Sequence, residues 1–372
     1  MELKIARDEI LPLVSKTLGI VEKKTTMPIL SNLYLEATNS GEVVVNATDL
    51  EVGISDKCSG EVVKQGSITI RAKNFYDVLK SLPDEPIVIS SDTGDWIHIE
   101  CGKIEFNLVG LPVDDFPKFP EISTIDYIQL PPADLSAMFR KVYFAVSTDE
   151  TRYNLNGVYI RIIDGKLVMV STDGHRLCKI ENDIEIKDIP EYLDKGIILP
   201  RKGILELNKI IEEYKGDSIK FSVYENNAFF IIDQLIFVMR IIDGDFPDFH
   251  KVLPESFSCK AVIDRDVLAQ SLKRISVLSY DNAWGLRLVF RGDELEIQSN
   301  NPDLGEAKEI VSLGSYEGDE LTIGFNSKYL LEAINAMDNG DIDLTFTDDL
   351  KPGLFKNSGE DNYLCVIMPM RI

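Results

Sequence analysis

LVMVSTDGHRLCKI (Leu167–Ile180) reads as an apolar strand that breaks at a polar Thr-Asp-Gly turn and resumes as a second strand. The same design recurs about 125 residues to either side, as VVVNATDLEVGI (Val43–Ile54) and LEIQSNNPDLGEAKEI (Leu295–Ile310). After each comes a short strand and then an amphipathic helix: ITIRAKNFYDVLKSLP from Ile68, IILPRKGILELNKIIEE from Ile197 and LTIGFNSKYLLEAINAMD from Leu321. The predicted fold class is α+β, with three similar helix-plus-sheet domains in one chain. Pro-rich acidic segments close the first two, VGLPVDDFPKFPEI (Val109–Ile122) and IIDGDFPDFHKVLPE (Ile241–Glu255), and they resemble each other. The expected domains are therefore 1–122, 128–253 and 254–372.

Helical periodicity is clearest where Leu135, Met138, Phe139, Val142 and Val146 share one face, with Ser136, Arg140 and Lys141 opposite. Phe75, Val78, Leu79 and Leu82 make an inner stripe against outward Lys73 and Lys80, and Leu330, Leu331, Ile334 and Met337 make a third. Five cysteines (Cys58, Cys101, Cys178, Cys259, Cys365) lack CxxC spacing and sit in apolar strand patterns, so reduced, buried thiols are expected. The N-terminal MELKIARDEILPLVSK has no signal-peptide core, and no run approaches the ~18 apolar residues of a membrane span, so a cytoplasmic protein is expected.

A formal charge of −23 on 372 residues opposes nucleic acid if taken as a uniform property. The charge is not uniform. Segments 6–24, 72–83, 131–147, 200–215 and 264–279 each carry +1 and segment 326–338 carries −1, so the acid is concentrated outside the helices. Such a division suits one surface that meets phosphate and another that repels it; helix propensity of Lys and Arg is the plainer explanation.

The three repeats, the closing VIMPMRI, the STDGHRL turn and the DETRYNLNG loop together resemble the sliding-clamp family of bacterial replicative DNA polymerases, the polymerase III beta subunits, over essentially the whole chain. TMPILSN, PRKGILEL and DGDFPDF stand in the matching order. The resemblance implies a head-to-tail homodimer closing a six-domain ring, with helices lining a hole for duplex DNA and sheets forming the outer wall. It also implies, as partners, the replicative polymerase, an ATP-driven clamp loader, and replication and repair proteins with clamp-binding motifs. A mildly basic lining without base-specific contacts would let the ring slide, since phosphate contacts carry no sequence information.

Carried over position by position, the partner-peptide pocket would draw on Leu155, Thr172, Gly174, His175, Arg176, Leu177, Pro247, Val252, Met368, Pro369 and Met370, flanked by Val366, Ile367 and Arg371. Methionines beside a proline suit promiscuous clients because thioethers repack around different side chains. For DNA the matching positions are Lys24, Lys73, Arg152, Tyr153, Arg201 and Lys202. Asn154 stands where a second aromatic is frequent in the family, and Lys251 where an arginine is frequent. For the dimer seam, Phe106 and Leu108 match a strand side, and Val277 and Leu278 a helix side.

No catalytic residue, metal ligand or cofactor is expected. His175 shares no ligand spacing with His98 or His250, and no Ser or Cys nucleophile motif accompanies it. Asp49, Glu51 and Asp173 recur with the repeat and read as turn formers that accept backbone N–H bonds. Two other classes stay open on the residues: a metal-dependent enzyme on nucleic acid, which needs converging carboxylates, and a peptide-binding scaffold that never closes into a dimer.

Overall fold

The computed structural model describes residues 1–22, 25–91, 94–120, 127–184, 189–254, 256–278 and 285–371. The first repeat runs β1 (Glu2–Ile5), α1 (Arg7–Thr17), β2 (Asn32–Ala37), β3 (Glu42–Thr48), β4 (Val52–Ser59), β5 (Glu61–Lys64), β6 (Gly66–Arg71), α2 (Ala72–Ser81), β7 (Ile87–Ser91), β8 (Trp96–Cys101) and β9 (Ile104–Val109). The second comprises β10 (Ile128–Leu130), α3 (Pro132–Val142), β11 (Gly157–Ile163), β12 (Lys166–Thr172), β13 (Arg176–Asp183), α4 (Glu191–Lys195), β14 (Ile197–Pro200), α5 (Arg201–Glu213), β15 (Ile219–Tyr224), β16 (Asn227–Ile232) and β17 (Leu235–Arg240). In the third are β18 (Cys259–Asp264), α6 (Arg265–Ile275), β19 (Gly285–Arg291), β20 (Glu294–Asn301), β21 (Gly305–Ser312), β22 (Ser315–Glu317), β23 (Leu321–Asn326), α7 (Ser327–Asn335), β24 (Asp341–Phe346), β25 (Gly353–Asn357) and β26 (Tyr363–Ile367).

The three quoted stretches form the hairpins β3–β4, β12–β13 and β20–β21, and the expected strand-plus-helix units follow as β6–α2, β14–α5 and β23–α7. The five-residue α4 has too few residues to show a helical period and was not expected. Among the described residues, no helix is long and apolar enough to cross a membrane.

Contacts gather the chain into two compact units, residues 1–135 with 202–241 and residues 136–201 with 242–372. The cause is strand pairing across the joins between repeats. In the first unit an antiparallel sheet of order β10-β15-β16-β17-β4-β3-β2-β6 is continuous through β17 and β4, where Val238 faces Gly53 and Met239 faces Val52. A second sheet there has the order β5-β1-β7-β8-β9. In the other unit the order β14-β11-β12-β13-β26-β25-β24-β18-β22 is continuous through β13 and β26, where Arg176 faces Ile367 and Leu177 faces Val366. Its companion sheet is β21-β20-β19-β23.

Burial follows the predicted stripes. Leu135, Met138, Phe139, Val142 and Val146 are buried, as are Phe75, Val78, Leu79 and Leu82, while Lys73 and Lys80 are exposed. Ser136 departs from the expectation: it is buried, because Pro132, Ser136 and Phe139 lie along one side of α3 and widen its covered arc, which a small side chain tolerates. All five cysteines are free thiols in strands, four of them buried and Cys58 half-buried; burial, assisted by Glu9 and Asp56, pushes Cys58 up to about 12.

Helix starts are set by side chains where the sequence supplies them. Asp264 accepts from the Val267 N–H at 2.9 Å ahead of α6, and Asn326 accepts from Lys328 and Tyr329 N–H groups at 2.9 and 3.2 Å ahead of α7. The third repeat is centred on Phe346, whose ring lies 5.1 Å from Phe290, 6.1 Å from Phe325 and 6.0 Å from Phe355. Truncating so enclosed an aromatic leaves a cavity that the four-ring cluster cannot collapse around. Phe346→Ala is therefore expected to cost about 3–5 kcal/mol, read as a lower urea midpoint for the unit that contains it; a change below about 1 kcal/mol would contradict this packing.

Candidate functional site

The repeated turn is built the same way in the first two repeats, and in the third Asn301 takes the place of the Asp. Thr48 Oγ1 donates to the Val52 carbonyl at 3.0 Å and accepts from Leu50 N–H at 3.0 Å; Thr172 Oγ1 donates to the Arg176 carbonyl at 2.6 Å and accepts from Gly174 N–H at 3.0 Å. Asp49 Oδ1 accepts from Glu51 and Val52 N–H groups at 2.9 and 2.6 Å, Asp173 Oδ1 from His175 and Arg176 at 2.9 and 3.0 Å, and Asn301 Oδ1 from Asp303 and Leu304 at 2.9 and 3.2 Å. Asp49 and Asp173 are the turn formers expected from the sequence, each committing one oxygen to backbone amides and the other to a cation, whereas Glu51 enters its turn through its backbone N–H. Gly174 at φ +86° supplies the left-handed backbone of its turn.

Around this turn the second unit assembles an apolar surface. Val168, Val170, Leu177, Phe249 and Val366 form its buried floor, and Tyr159, Phe246, Leu253, Leu354 and Leu364 pack against them half-buried. Tyr159 stacks on Phe246 with ring centres 4.9 Å apart. The chain then leaves β26: Met368 N–H donates to the His175 carbonyl at 2.8 Å, and Met370 N–H donates to the Gly324 carbonyl at 2.8 Å. Met368, Met370 and Val252 expose a little over a third of their surface, Gly174, His175, Pro247 and Arg371 are exposed, and Pro369 is half-buried. Leu155, Thr172, Arg176, Leu177, Val366 and Ile367 are buried. The structure thus joins the TDGHR turn, the DFPDF segment and the C-terminal strand in one place. Sequence reasoning missed Tyr159, Phe246 and Phe249; the two phenylalanines stood within a quoted motif, and only the fold reveals that they line the same surface.

Arg176 has a structural task. Its guanidinium donates to Asp173 at 3.1 Å, to Glu332 at 2.5 Å and to the Phe144 carbonyl at 2.6 Å, and it lies over the Tyr329 ring at 4.5 Å and the Phe144 ring at 5.1 Å. Burial pulls its pKa down, but Glu332 and Asp173 outweigh that, so it stands above the ordinary arginine value. His175 stacks on the same Tyr329 ring at 6.0 Å. Arg176 therefore ties the turn to α7 and positions the exposed side chains beside it.

The expected DNA positions are heterogeneous. Lys73 is exposed, paired with Asp77 at 2.6 Å one helical turn away. Arg201 lies over the Tyr143 ring at 5.0 Å. Arg152 pairs with Asp149 at 3.0 Å, and Tyr153 is 59% exposed, the only aromatic of its loop that reaches solvent among the described residues. Asn154 Nδ2 donates to the Asp245 carbonyl at 3.0 Å, so the residue that departs from the family pattern ties the loop to the DGDFPDF segment. Lys251 pairs loosely with Asp248 at 3.5 Å. Lys202 is held by the nearly fully buried Asp49 and by the Ile20 carbonyl at 2.8 Å, which makes it largely a structural cation. Lys24 lies outside the described residues. Among the described residues, no group of three or more His, Cys, Asp or Glu side chains converges as a metal site would need.

Phe106 and Leu108 are half-buried on β9, the last strand of its sheet, opposite Ile99 and Ile97. Val277 is 63% exposed and Leu278 half-buried, in the short turn of helix Ser276–Leu278 that follows α6.

The comparisons with known proteins agree along the whole chain. The DNA polymerase III beta subunit family matches through its N-terminal domain over residues 1–120, its central domain over 129–248 and its C-terminal domain over 250–371. A beta sliding clamp of Staphylococcus aureus is 32% identical over 380 residues, covering 100% of this chain and 99% of the relative. The solved DNA polymerase sliding clamp of Bacillus subtilis superposes with a TM-score of 0.94 at 28% identity, covering 100% of this chain and 99% of that one. A sliding clamp from Bartonella birtlesii, solved bound to griselimycin, gives 0.93 at 31% identity with 100% of each chain covered.

Removing the Arg176 guanidinium leaves Asp173 and Glu332 facing each other without a cation. Arg176→Ala is expected to cost about 3 kcal/mol, the lower end for a buried ion pair because Glu332 keeps partial solvent access. Denaturant unfolding checks it, with Glu332→Gln in the same background recovering part of the loss; a cost below about 1 kcal/mol would remove the positioning role.

Proposed function

Because the chain belongs to the DNA polymerase III beta subunit family, the bacterial sliding clamps, we propose that two copies join head to tail into a closed ring of six repeats around duplex DNA. Sliding clamps are processivity factors, not enzymes. In this reading the clamp tethers the replicative polymerase in the cytoplasm, a clamp loader spends ATP to open it, and the clamp needs no cofactor of its own. The repeats 1–122, 128–253 and 254–372 are its three domains.

The observation that carries the ring is the pair of sheet ends. Among the described residues, β9 and β21 each close a sheet on one side with no further strand beyond them, and β9 carries Phe106 and Leu108 only half-covered. A free ladder edge beside incompletely buried apolar groups is a site for another chain. Pairing β9 of one copy with β21 of another would satisfy both edges and bring Val277 and Leu278 toward Phe106 and Leu108. The contact is heterologous, and it closes when two half-rings complete the rotation.

Duplex DNA in the hole is supported by the charge division: the helices are near neutral or slightly basic on a chain of −23. Lys73, Arg152, Tyr153 and Arg201 are the side chains we assign to phosphate or base contact, with Lys202 secondary because Asp49 holds it. Ion pairs such as Lys73–Asp77 and Arg152–Asp149 weaken any single phosphate contact, which favours sliding over sticking.

The apolar surface of the second unit is the pocket we assign to client peptides, with Met368 and Met370 as adaptable rims and Leu177, Phe249 and Val366 as floor. Two variants separate pocket from seam. Deleting Met368–Ile372 should abolish binding of a fluorescent peptide with Gln and apolar anchors, while light scattering still gives a dimer, slightly below twice the 41.8 kDa of the full chain. Phe106→Asp with Leu108→Asp should give the single-chain mass and retain peptide binding. Unchanged peptide affinity in the first variant would remove the pocket assignment, and an intact dimer in the second would remove the seam.

A further inference from the structure

The join in the first unit repeats the architecture of the client pocket. Thr48, Asp49 and Leu50 make the turn that Thr172, Asp173 and Gly174 make in the second unit, with the same side-chain hydrogen bonds. Val238 faces Gly53 across the join as Val366 faces Leu177. DFPKF (Asp115–Phe119) stands where DFPDF (Asp245–Phe249) stands, and Phe116 packs on Tyr34 of β2 at 5.5 Å as Phe246 packs on Tyr159 of β11 at 4.9 Å.

One substitution changes the outcome. Gly53 replaces the leucine that fills the other join, and Phe119 and Val238 approach so closely that a Cβ there would meet them at 3.1 and 2.9 Å. Beside them a hollow of about 110 Å³ stays open, lined by Leu50, Val52, Pro117, Phe119, Val238 and Arg240. That is well below the roughly 300–1,000 Å³ of small-molecule sites and suits a single aliphatic side chain. Leu50 guards it with φ +77° and 52% exposure, an apolar side chain in a backbone region that favours glycine, where Gly174 stands in the other turn. Strain of this kind at an exposed residue persists where the position has a use.

The rim differs in charge from the client pocket. Arg240 takes the place of Met368 and Lys118 that of Asp248; both are exposed, and neither forms an ion pair among the described residues. Glu51 is the one carboxylate in the lining. On a chain of −23 this is a local excess of cation.

We propose that the first join is a second, quasi-equivalent docking site, and that its occupant is an extended partner segment presenting one aliphatic anchor flanked by carboxylates. The anchor enters the hollow between Leu50, Phe119 and Val238, and the flanking acids meet Lys118 and Arg240. Partners that also engage the client pocket would then hold one chain at two points, raising retention through effective concentration.

The test uses the full chain and a fluorescein-labelled decapeptide with one central leucine, aspartate and glutamate on both sides and no glutamine, followed by anisotropy at low salt. Saturable binding is expected. Lys118→Glu with Arg240→Glu should weaken it about tenfold, and Leu50→Gly, which relieves the backbone, about threefold. Met368→Ser with Met370→Ser should leave it within about twofold. Absence of saturable binding, indifference to the rim reversal, or loss through the methionine changes would each overturn the proposal; the first two leave the client pocket and the ring untouched, and the third would place the peptide in the client pocket instead.

Discussion

Two strand pairings between repeats, β4 with β17 and β13 with β26, are the constraint on which the rest depends. A β-ladder leaves no choice about its partners, because each buried N–H and C=O must find one, and a slip of one residue would turn every side chain to the wrong face. Fixing Leu177 opposite Val366 therefore fixes the TDGHR turn beside the strand that runs on to Met368 and Met370. The apolar surface proposed for clients follows from that register, and so does its counterpart where Gly53 faces Val238. Using sheet continuation at the internal joins also leaves β9 and β21 as the outer strands of the terminal sheets, the edges a second copy would complete.

Much of this was legible in the sequence because it rests on local periodicity. The stripes through Leu135–Val146 and Phe75–Leu82 predicted helices and their inner faces, and so did Leu330, Ile334 and Met337, although Leu331 of that stripe is only half-buried; the Thr-Asp pairs predicted turns whose side chains bond their own backbone. What could not be read depends on partners remote in sequence. Lys202 looked like a surface cation, but its charge is held by Asp49, more than a hundred residues away. Arg176 is placed in the pocket by the resemblance alone, and its tie to Glu332, more than a hundred residues away, could not be read from the sequence. Ser136 looked outward because it is polar, whereas the breadth of the buried arc on α3 is set by what packs on it.

Charge shapes the function more than composition suggests. The chain is strongly acidic, yet its exposed helical lysines and arginines are commonly tied to neighbouring acids, as Lys73 is to Asp77 and Lys209 to Glu206. In the proposed ring, a lining of this kind would attract a duplex weakly and hold no sequence, because the available contacts would be to phosphate. On that proposal, retention would come from closure of the ring. The apolar pockets, by contrast, sit on rigid sheet joins, where register rather than loop conformation positions the anchors.

Topological retention is the most direct test of closure. The protein is loaded onto a nicked circular plasmid by a clamp loader, the complex is isolated, and half of it is linearised. A closed ring predicts loss from the linear DNA and persistence on the circle under the same salt. Equal persistence on both forms would mean contact binding, and the account of a clamp held by topology would be contradicted.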